Sequence, residues 1–218
     1  MSESLMRTRF VRDWIARDWT ARAWLAQRGN QRKLALGALA LAVGCFTQAM
    51  WIHLKAELAQ VLIESAWERT LARPDMPQKP WRWADTWPVA RMEWQHGDRK
   101  ENLYVLAGAN GSVLAFGPGH LSDTAPVGAG ASALAGHRDT HFAFLSELER
   151  GSELKMQNAT GEQFTYYVTD LAVKDSTTEP LLIDAASESL TLITCYPFDA
   201  TLPGGPLRYV VTALRQQF

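Results

Sequence analysis

The stretch LTLITCYPFDATLPGGPLR, residues 190–208, decides how the rest of this chain is interpreted. Its first five residues are aliphatic or β-branched, which is typical of a buried strand, and Cys195 lies where that strand stops. A loop rich in proline and glycine follows, and residues 207–211 predict a second strand. If the two strands pair as a hairpin with a long loop, the end of the first lies beside the start of the second. This pairing would bring Cys195 and Arg208 close together.

Two interpretations of this pair are open. A thiol beside a fixed positive charge at the mouth of a loop is suited to act as a nucleophile. Alternatively, Cys195 is a small buried hydrophobic residue and Arg208 is a solvated surface charge. The other cysteine, Cys45, lies inside an apolar N-terminal run, so no disulfide or zinc-finger framework can be built from the two. In an oxidising compartment, an unpaired Cys195 would be exposed to unwanted oxidation, so its presence there favours a chemical role for the thiol.

Composition limits the class of protein. The chain has 218 residues, a net charge of -1 and 21% charged residues, so it lacks the basic footprint of a nucleic-acid-binding protein. Its length allows a membrane anchor plus one domain, and a hydrophobic content of 47% is ample for a core.

The N-terminal region has the pattern of a membrane protein. Residues 1–33 are rich in arginine and tryptophan and predict a basic cytoplasmic segment, interfacial or partly disordered. Residues 34–53 are almost entirely apolar, and roughly 20 residues at a rise of about 1.5 Å each can just cross a bilayer. Because the basic residues precede this run, the N-terminus is expected inside the cell. An uncleaved signal anchor is favoured over a cleaved signal peptide, since the run is long and no cleavage site is obvious.

The remainder predicts a helix, a linker and a β domain. Residues 54–80 predict a membrane-proximal helix that ends near Ala72, followed by a stiff, proline-rich linker. Beyond Trp87, short strands alternate with turn signals, and one short helix is predicted at 142–148. Seven or eight strands with few helices indicate a closed barrel or a sandwich, assigned to residues 81–218. The predicted strands are 89–94, 103–106, 131–135, 153–157, 163–173, 190–194 and 207–213.

The string GHRDTHF, residues 136–142, carries the second set of reactive side chains. A neutral imidazole at His137 or His141 is suited to general acid–base chemistry, and Asp139 is placed to orient a ring. A metal site formed by the same three side chains is an alternative, but it needs a helix to bring both rings to one face. Gly136 and the strand before it favour a loop. A buried histidine with satisfied hydrogen bonds is the third possibility.

These elements together resemble the sortase family of cysteine transpeptidases. The strings AGHRD (135–139) and TLITC (191–195), followed by Arg208 on the next strand, occur in the family's order and at similar separations. The longer strings GHRDTHF and TCYPFD (194–199) resemble its Gram-negative, proteobacterial branch, often called class GN. The resemblance covers roughly residues 81–218. Each element is weak by itself, and the combination is specific.

The resemblance implies a mainly all-β fold, a closed eight-stranded sortase-type β-barrel with short helices and a surface groove. It implies that Cys195 is the nucleophile, His137 the general acid/base, and Arg208 the group that holds the substrate or stabilises the oxyanion. Four further residues are expected to support the site or contact the substrate: Thr194, Asp139, His141 and Tyr196.

The resemblance also implies a reaction and a location. The family cleaves a Leu-Pro-x-Thr-Gly-like (LPXTG) sorting signal between threonine and glycine, forms a thioacyl-enzyme, and passes the acyl group to an amine. The expected partner is a secreted protein with a C-terminal signal of this kind, with the enzyme anchored by a single pass in the inner membrane and its catalytic domain in the periplasm. No cofactor or metal is expected, and no acidic cluster demands calcium. The alternatives are a non-catalytic, anchored peptide-binding barrel and a histidine-based metallohydrolase. The stretch at 202–205, LPGG, is interpreted as loop and not as a signal.

Overall fold

The computed structural model describes residues 3–181, 183, 185–202 and 204–216. The chain divides into two compact units, Met1–Lys55 and Ala56–Phe218. Helix α1 comprises Glu3–Ala72, so the predicted helix end at Ala72 is confirmed. Within the described residues, one helical stretch, Lys33–Ala72, is long and apolar enough to cross a membrane by length and composition. The expected interfacial role of residues 1–33 depends largely on side chains that lie outside the described part of the structure. The predicted boundaries at 33, 53 and 80 stay predictions.

Eight strands form a closed barrel, which confirms the predicted fold class. The strands are β1 Pro88–His96, β2 Arg99–Ala107, β3 Gly119–His120, β4 Ser132–Ala135, β5 Glu153–Asn158, β6 Gln163–Asp175, β7 Ser189–Cys195 and β8 Leu207–Arg215. Their order around the barrel is β1-β2-β3-β4-β7-β8-β6-β5. The seven strands predicted from the sequence are all present, and the two-residue strand β3 was not predicted.

Strand β7 lies between β4, which runs parallel to it, and β8, which runs antiparallel. Its residues from Ser189 to Thr194 are all buried, because the strand has neighbours on both sides and is covered on both faces. This explains why its sequence is a continuous β-branched and aliphatic run instead of an alternating one. A strand held this firmly is a rigid support for the residue at its end.

The core fills the inside of the barrel with one residue of every two along each strand. On β5, for example, Leu154 and Met156 are buried while Glu153 and Lys155 are exposed. The main cluster is completed by the segment after β4, which contributes Phe142, Phe144, Leu145 and Leu148. A 3₁₀ helix at Ala143–Glu147 carries Phe144 and Leu145, and Leu148 follows it as the C-cap, which confirms the short helix predicted at 142–148.

The second compact unit includes the C-terminal end of α1 and the linker. Ile63 of α1 packs with Leu106 of β2 and with Val113 of the short helix α2, Gly111–Leu114, which the sequence did not predict. In the linker, Trp81 meets Phe116 edge-on, with ring centroids 5.2 Å apart. The helix and linker therefore pack against the outside of the barrel through a small apolar cluster of their own.

Candidate active site

The register of β7 and β8 places Cys195 directly opposite Arg208. Cys195 is the last residue of β7, Arg208 is the second residue of β8, and the two are Cα partners in the antiparallel ladder. The Tyr196 amide donates a hydrogen bond to the Leu207 carbonyl at 3.0 Å, which closes the ladder just beyond this pair. The predicted hairpin between these strands is confirmed.

The parallel pair β4–β7 brings the histidine segment to the same end of the barrel. Ala135 pairs with Ile193, and the next amide, that of Gly136, donates to the Ile193 carbonyl at 3.1 Å. The Thr194 hydroxyl donates to the Gly136 carbonyl at 2.7 Å. Strand β4 ends at Ala135, and continuing its register by two residues would set His137 opposite Cys195, at the spacing of about 4.8 Å between neighbouring strands. Cys195 and Arg208 therefore lie at the facing ends of β7 and β8, and His137 follows the end of the adjacent strand β4.

The side chains of Cys195 and Arg208 lie on the outer face of the barrel. Leu192 and Val211 pair with each other and point into the core. Cys195 lies three positions after Leu192, and Arg208 lies three positions before Val211. Because side chains alternate along a strand, Cys195 and Arg208 point to the opposite face. Cys195 and Arg208 are half-buried and His137 is exposed. The thiol is therefore not enclosed in the barrel interior, and it is partly accessible to solvent.

Glycine at position 136 is required by close packing in the histidine segment. A Cβ at this position would lie 2.8 Å from the ring of Phe142, which is completely buried. The Phe142 amide donates to the His137 carbonyl at 2.9 Å, which closes the segment into a tight loop. The buried phenylalanine thus holds the backbone that carries His137, and residues 136–142 are not helical. The metal alternative required a helix here, and within the described residues no cluster of three or more potential metal-ligating side chains occurs.

The guanidinium of Arg208 is held against its own loop. Its Nη1 donates to the carbonyls of Gly205 at 2.6 Å and Leu207 at 2.9 Å. Arginine has five N–H donors, so these contacts fix the direction of the side chain and leave donors for another acceptor. The charge is therefore kept close to the end of β7.

Aromatic rings cluster where β7 ends, and two of them, Phe198 and Tyr209, pack against the main core cluster. Tyr196 stacks on Tyr209 with ring centroids 6.1 Å apart, and Phe198 meets Tyr209 edge-on at 5.2 Å. Burial raises the pKa of Tyr209, and the nearby Tyr196 raises it further. Sequence reasoning singled out Tyr196 but missed Phe198 and Tyr209, although both belong to the strand-end motifs that surround Cys195 and Arg208.

His141 and Asp139 lie in the loop that carries His137. Asp139 is exposed and His141 is half-buried. Burial lowers the pKa of His141 below its usual 6.5, the neighbouring His137 lowers it further, and Asp139 opposes both effects. His141 is therefore kept neutral over a wider range of pH than a free imidazole.

Stability should decrease in acid because of His141. Its pKa is lower in the folded chain than in the unfolded chain, so the unfolded chain binds more protons once the pH falls below about 6.5. We expect the free energy of unfolding from urea titrations to fall between pH 7 and pH 5, and the His141→Asn variant to show a shallower slope. Equal slopes in the two proteins would contradict this expectation.

The buried hydroxyl of Thr194 is expected to stabilise the strand ends. Replacing it in Thr194→Val leaves the Gly136 carbonyl without its partner, at a cost of about 1–3 kcal/mol of unfolding free energy. The matched control is Thr169→Val, since the hydroxyl of Thr169 makes an exposed bond to the Thr212 carbonyl. Urea unfolding at neutral pH measures the free energy of unfolding of both variants. If both lose the same amount, burial of the Thr194 hydrogen bond adds nothing to stability.

One further side chain joins the two loops around the site. Nη2 of Arg138 donates to the carbonyls of Ala200 at 2.7 Å and Leu202 at 3.0 Å. Arg138 follows His137 directly, and its acceptors lie in the loop between β7 and β8. Arg138 belongs to the GHRDTHF string, but this contact could not be predicted from the sequence. Its acceptors are backbone carbonyls far along the chain.

Comparisons with known proteins point to one family. A family model described as "Sortase domain" matches residues 98–216, which is more than half of the chain. Sortase D of Bacillus subtilis (strain 168) is 35% identical over 115 residues, which cover 52% of this chain and 57% of that relative. The chain thus aligns with little more than half the length of this curated relative.

Solved structures share the fold. A Clostridium perfringens sortase D5 transpeptidase matches with a TM-score of 0.55 at 20% identity, covering 73% of this chain and 96% of that one. Sortase C-1 from Actinomyces oris matches with a TM-score of 0.50 at 28% identity, covering 60% and 74%. The resemblance found in the sequence and the structural similarity therefore agree on the family and on its fold.

Proposed function

Because the chain belongs to the sortase family of cysteine transpeptidases, we propose that it is itself an active transpeptidase with Cys195 as its nucleophile. The observation that carries the proposal is the meeting of three strand ends: Cys195 is paired with Arg208 on one side, and the β4–β7 register leads to His137 on the other. A thiol with an imidazole and a guanidinium as neighbours has the groups that acyl transfer requires.

The proposed first step is acylation. The thiolate of Cys195 attacks the carbonyl carbon of the scissile amide and forms a tetrahedral intermediate. Arg208, using donors that its loop carbonyls do not occupy, stabilises the oxyanion together with backbone N–H groups. The C–N bond then breaks, the imidazolium of His137 gives its proton to the leaving amine, and a thioester remains on Cys195.

The proposed second step transfers the acyl group. An amine attacks the thioester carbonyl, His137 takes the proton that the amine loses, and the Cys195 thiolate leaves as the new amide forms. A groove that excludes water favours the amine over hydrolysis.

For the substrate we propose a Leu-Pro-x-Thr-Gly-like signal at the C-terminus of a secreted protein. Proteins of this family act on sorting signals in general, and the exposed end of β7 offers an extended peptide access to Cys195. Thr194, Asp139, His141 and Tyr196 are proposed to support the site, the first by holding the Gly136 carbonyl.

We assign the chain to the Gram-negative branch and to the inner membrane. The strings GHRDTHF and TCYPFD support the branch. The apolar helical stretch supports a single-pass anchor at 34–53, with residues 1–33 in the cytoplasm, 54–80 next to the membrane and a periplasmic catalytic domain at 81–218.

Mass spectrometry of a trapped intermediate tests this function. Incubation with a Leu-Pro-x-Thr-Gly peptide should add the mass of the acyl fragment to Cys195, and hydroxylamine should release that fragment as a hydroxamate. A peptide with the same composition in scrambled order is the control. If a panel with every residue at x gives no adduct on Cys195, the proposed function is wrong.

A further inference from the structure

The loop between β7 and β8, residues 196–206, is held at its ends by its own neighbours. At one end the Tyr196 amide bonds to the Leu207 carbonyl. At the other end Arg208 binds the Gly205 carbonyl, and both the amide and the hydroxyl of Ser176 bind the Pro206 carbonyl. These contacts fix where the loop leaves and re-enters the barrel, but they do not reach its middle.

The middle of this loop is held by Arg138. Within the described part of the chain, the hydrogen bonds that join residues 200–202 to another segment are the two from Nη2 of Arg138, to Ala200 and Leu202. Both are charge-assisted, which makes them stronger than bonds between neutral groups. The backbone that carries Arg138 is itself fixed by the packing of Phe142 on Gly136. The guanidinium therefore holds the loop between β7 and β8 against the closely packed segment that contains Gly136 and Phe142.

The position of this contact relates it to the candidate active site. Arg138 is the neighbour of His137, and the loop that it holds begins one residue after Cys195. The contact consequently joins the segment that follows His137 to the loop that follows Cys195. At the held end, the Leu202 side chain is 79% exposed, which leaves an apolar side chain on the free surface of the loop.

We propose that Arg138 is a positioning residue that holds residues 200–202 as one wall of the groove for the acyl-donor peptide. The proposal rests on the function proposed above. Arg138 acts through the loop and does not touch the reacting atoms, so it governs binding of the peptide more than the bond-making steps. The exposed Leu202 side chain on this wall is then suited to contact an apolar residue of the donor.

Hydrogen–deuterium exchange of the full chain tests whether Arg138 holds the loop. In Arg138→Ala, we expect faster exchange in peptides that cover residues 198–202, and unchanged exchange in β1 and β2. The matched control is Arg69→Ala, because Arg69 of α1 also ties a loop by donating to a backbone carbonyl, that of Lys79. This control should change exchange at the linker and leave residues 198–202 as in the wild type. Unchanged exchange at 198–202 in Arg138→Ala would overturn the proposal.

Steady-state kinetics test the role in the groove. In Arg138→Ala, KM for the donor peptide should rise by about tenfold or more, while kcat stays within about threefold, since loss of a binding wall affects binding first. Arg138→Lys should recover part of the difference, because both bonds come from one nitrogen and an ammonium group can donate two. Alkylation of Cys195 by iodoacetamide, a small probe that needs no groove, should keep its wild-type rate and pH profile.

The outcomes separate this proposal from the proposed function. A fall in kcat with unchanged KM, or a large change in the alkylation rate, would overturn it by showing that Arg138 acts on the chemistry. If the wild type itself shows no acyl transfer, the proposed function fails and the groove role fails with it, while the exchange experiment still decides whether Arg138 holds the loop.

Discussion

The Cys195→Ala variant is expected to show no acyl transfer and no covalent adduct, and to unfold at nearly the wild-type temperature. Transfer is lost because no thioester can form without the sulfur. The fold is retained because the side chain is half-buried at a strand end, outside the main core cluster. Intact-protein mass spectrometry, amine-transfer assays and thermal unfolding measure the three properties on the same sample.

The chain offers a matched control in its other cysteine. Cys45→Ala removes an exposed thiol from α1 and should leave the adduct and the transfer rate unchanged. Undiminished transfer in Cys195→Ala would contradict the proposed role of Cys195. If Cys195 in the wild type also reacts with alkylating agents no faster than a free thiol, a peptide-binding barrel without catalytic activity becomes the better interpretation.

The His137→Ala variant is expected to lower kcat/KM for transfer by about 10²–10⁴-fold, the range that a positioned acid or base supplies. His137 has to protonate the leaving amine and later accept a proton from the incoming one, so both half-reactions should slow. Single-turnover acylation with the donor peptide, followed by separate addition of the amine, measures the two steps independently.

A histidine remote from the strand ends provides the control for this prediction. His53 is exposed on α1, and His53→Ala should retain wild-type rates in both half-reactions. Added imidazole should restore part of the activity of His137→Ala, since the variant leaves space where the ring was. Wild-type rates in His137→Ala would show that another group moves the proton.

Features set by local pattern could be predicted from the sequence. The end of α1 at Ala72 follows from the proline two residues later, and the strand that ends at Cys195 follows from its β-branched run. The pairing of Cys195 with Arg208 also follows, because a hairpin allows few registers once both strands and the loop are recognised.

Features set by contacts distant in sequence could not be predicted. Strand β3 has two residues, of which Gly119 comes so close to the Gly108 carbonyl that a Cβ would lie 2.1 Å from it. Two residues cannot show an alternating pattern, and a glycine carries no apolar side chain to signal a strand. The acceptors of Arg138 lie 62 and 64 residues further along the chain, and they are carbonyls that any residue would supply.

The parallel pairing of β4 with β7 has a consequence for biosynthesis. The bond from Thr194 to Gly136 joins residues 58 positions apart, and β8, the last of the eight strands in chain order, pairs with both β7 and β6. Contacts of such long range form late in folding, because a large loop must close before they are made. During translation Cys195 therefore emerges before Arg208, and the two residues become neighbours only once β8 has paired with β7. We expect the thiol and the guanidinium to meet only when the barrel closes, so an incompletely folded chain lacks this pair.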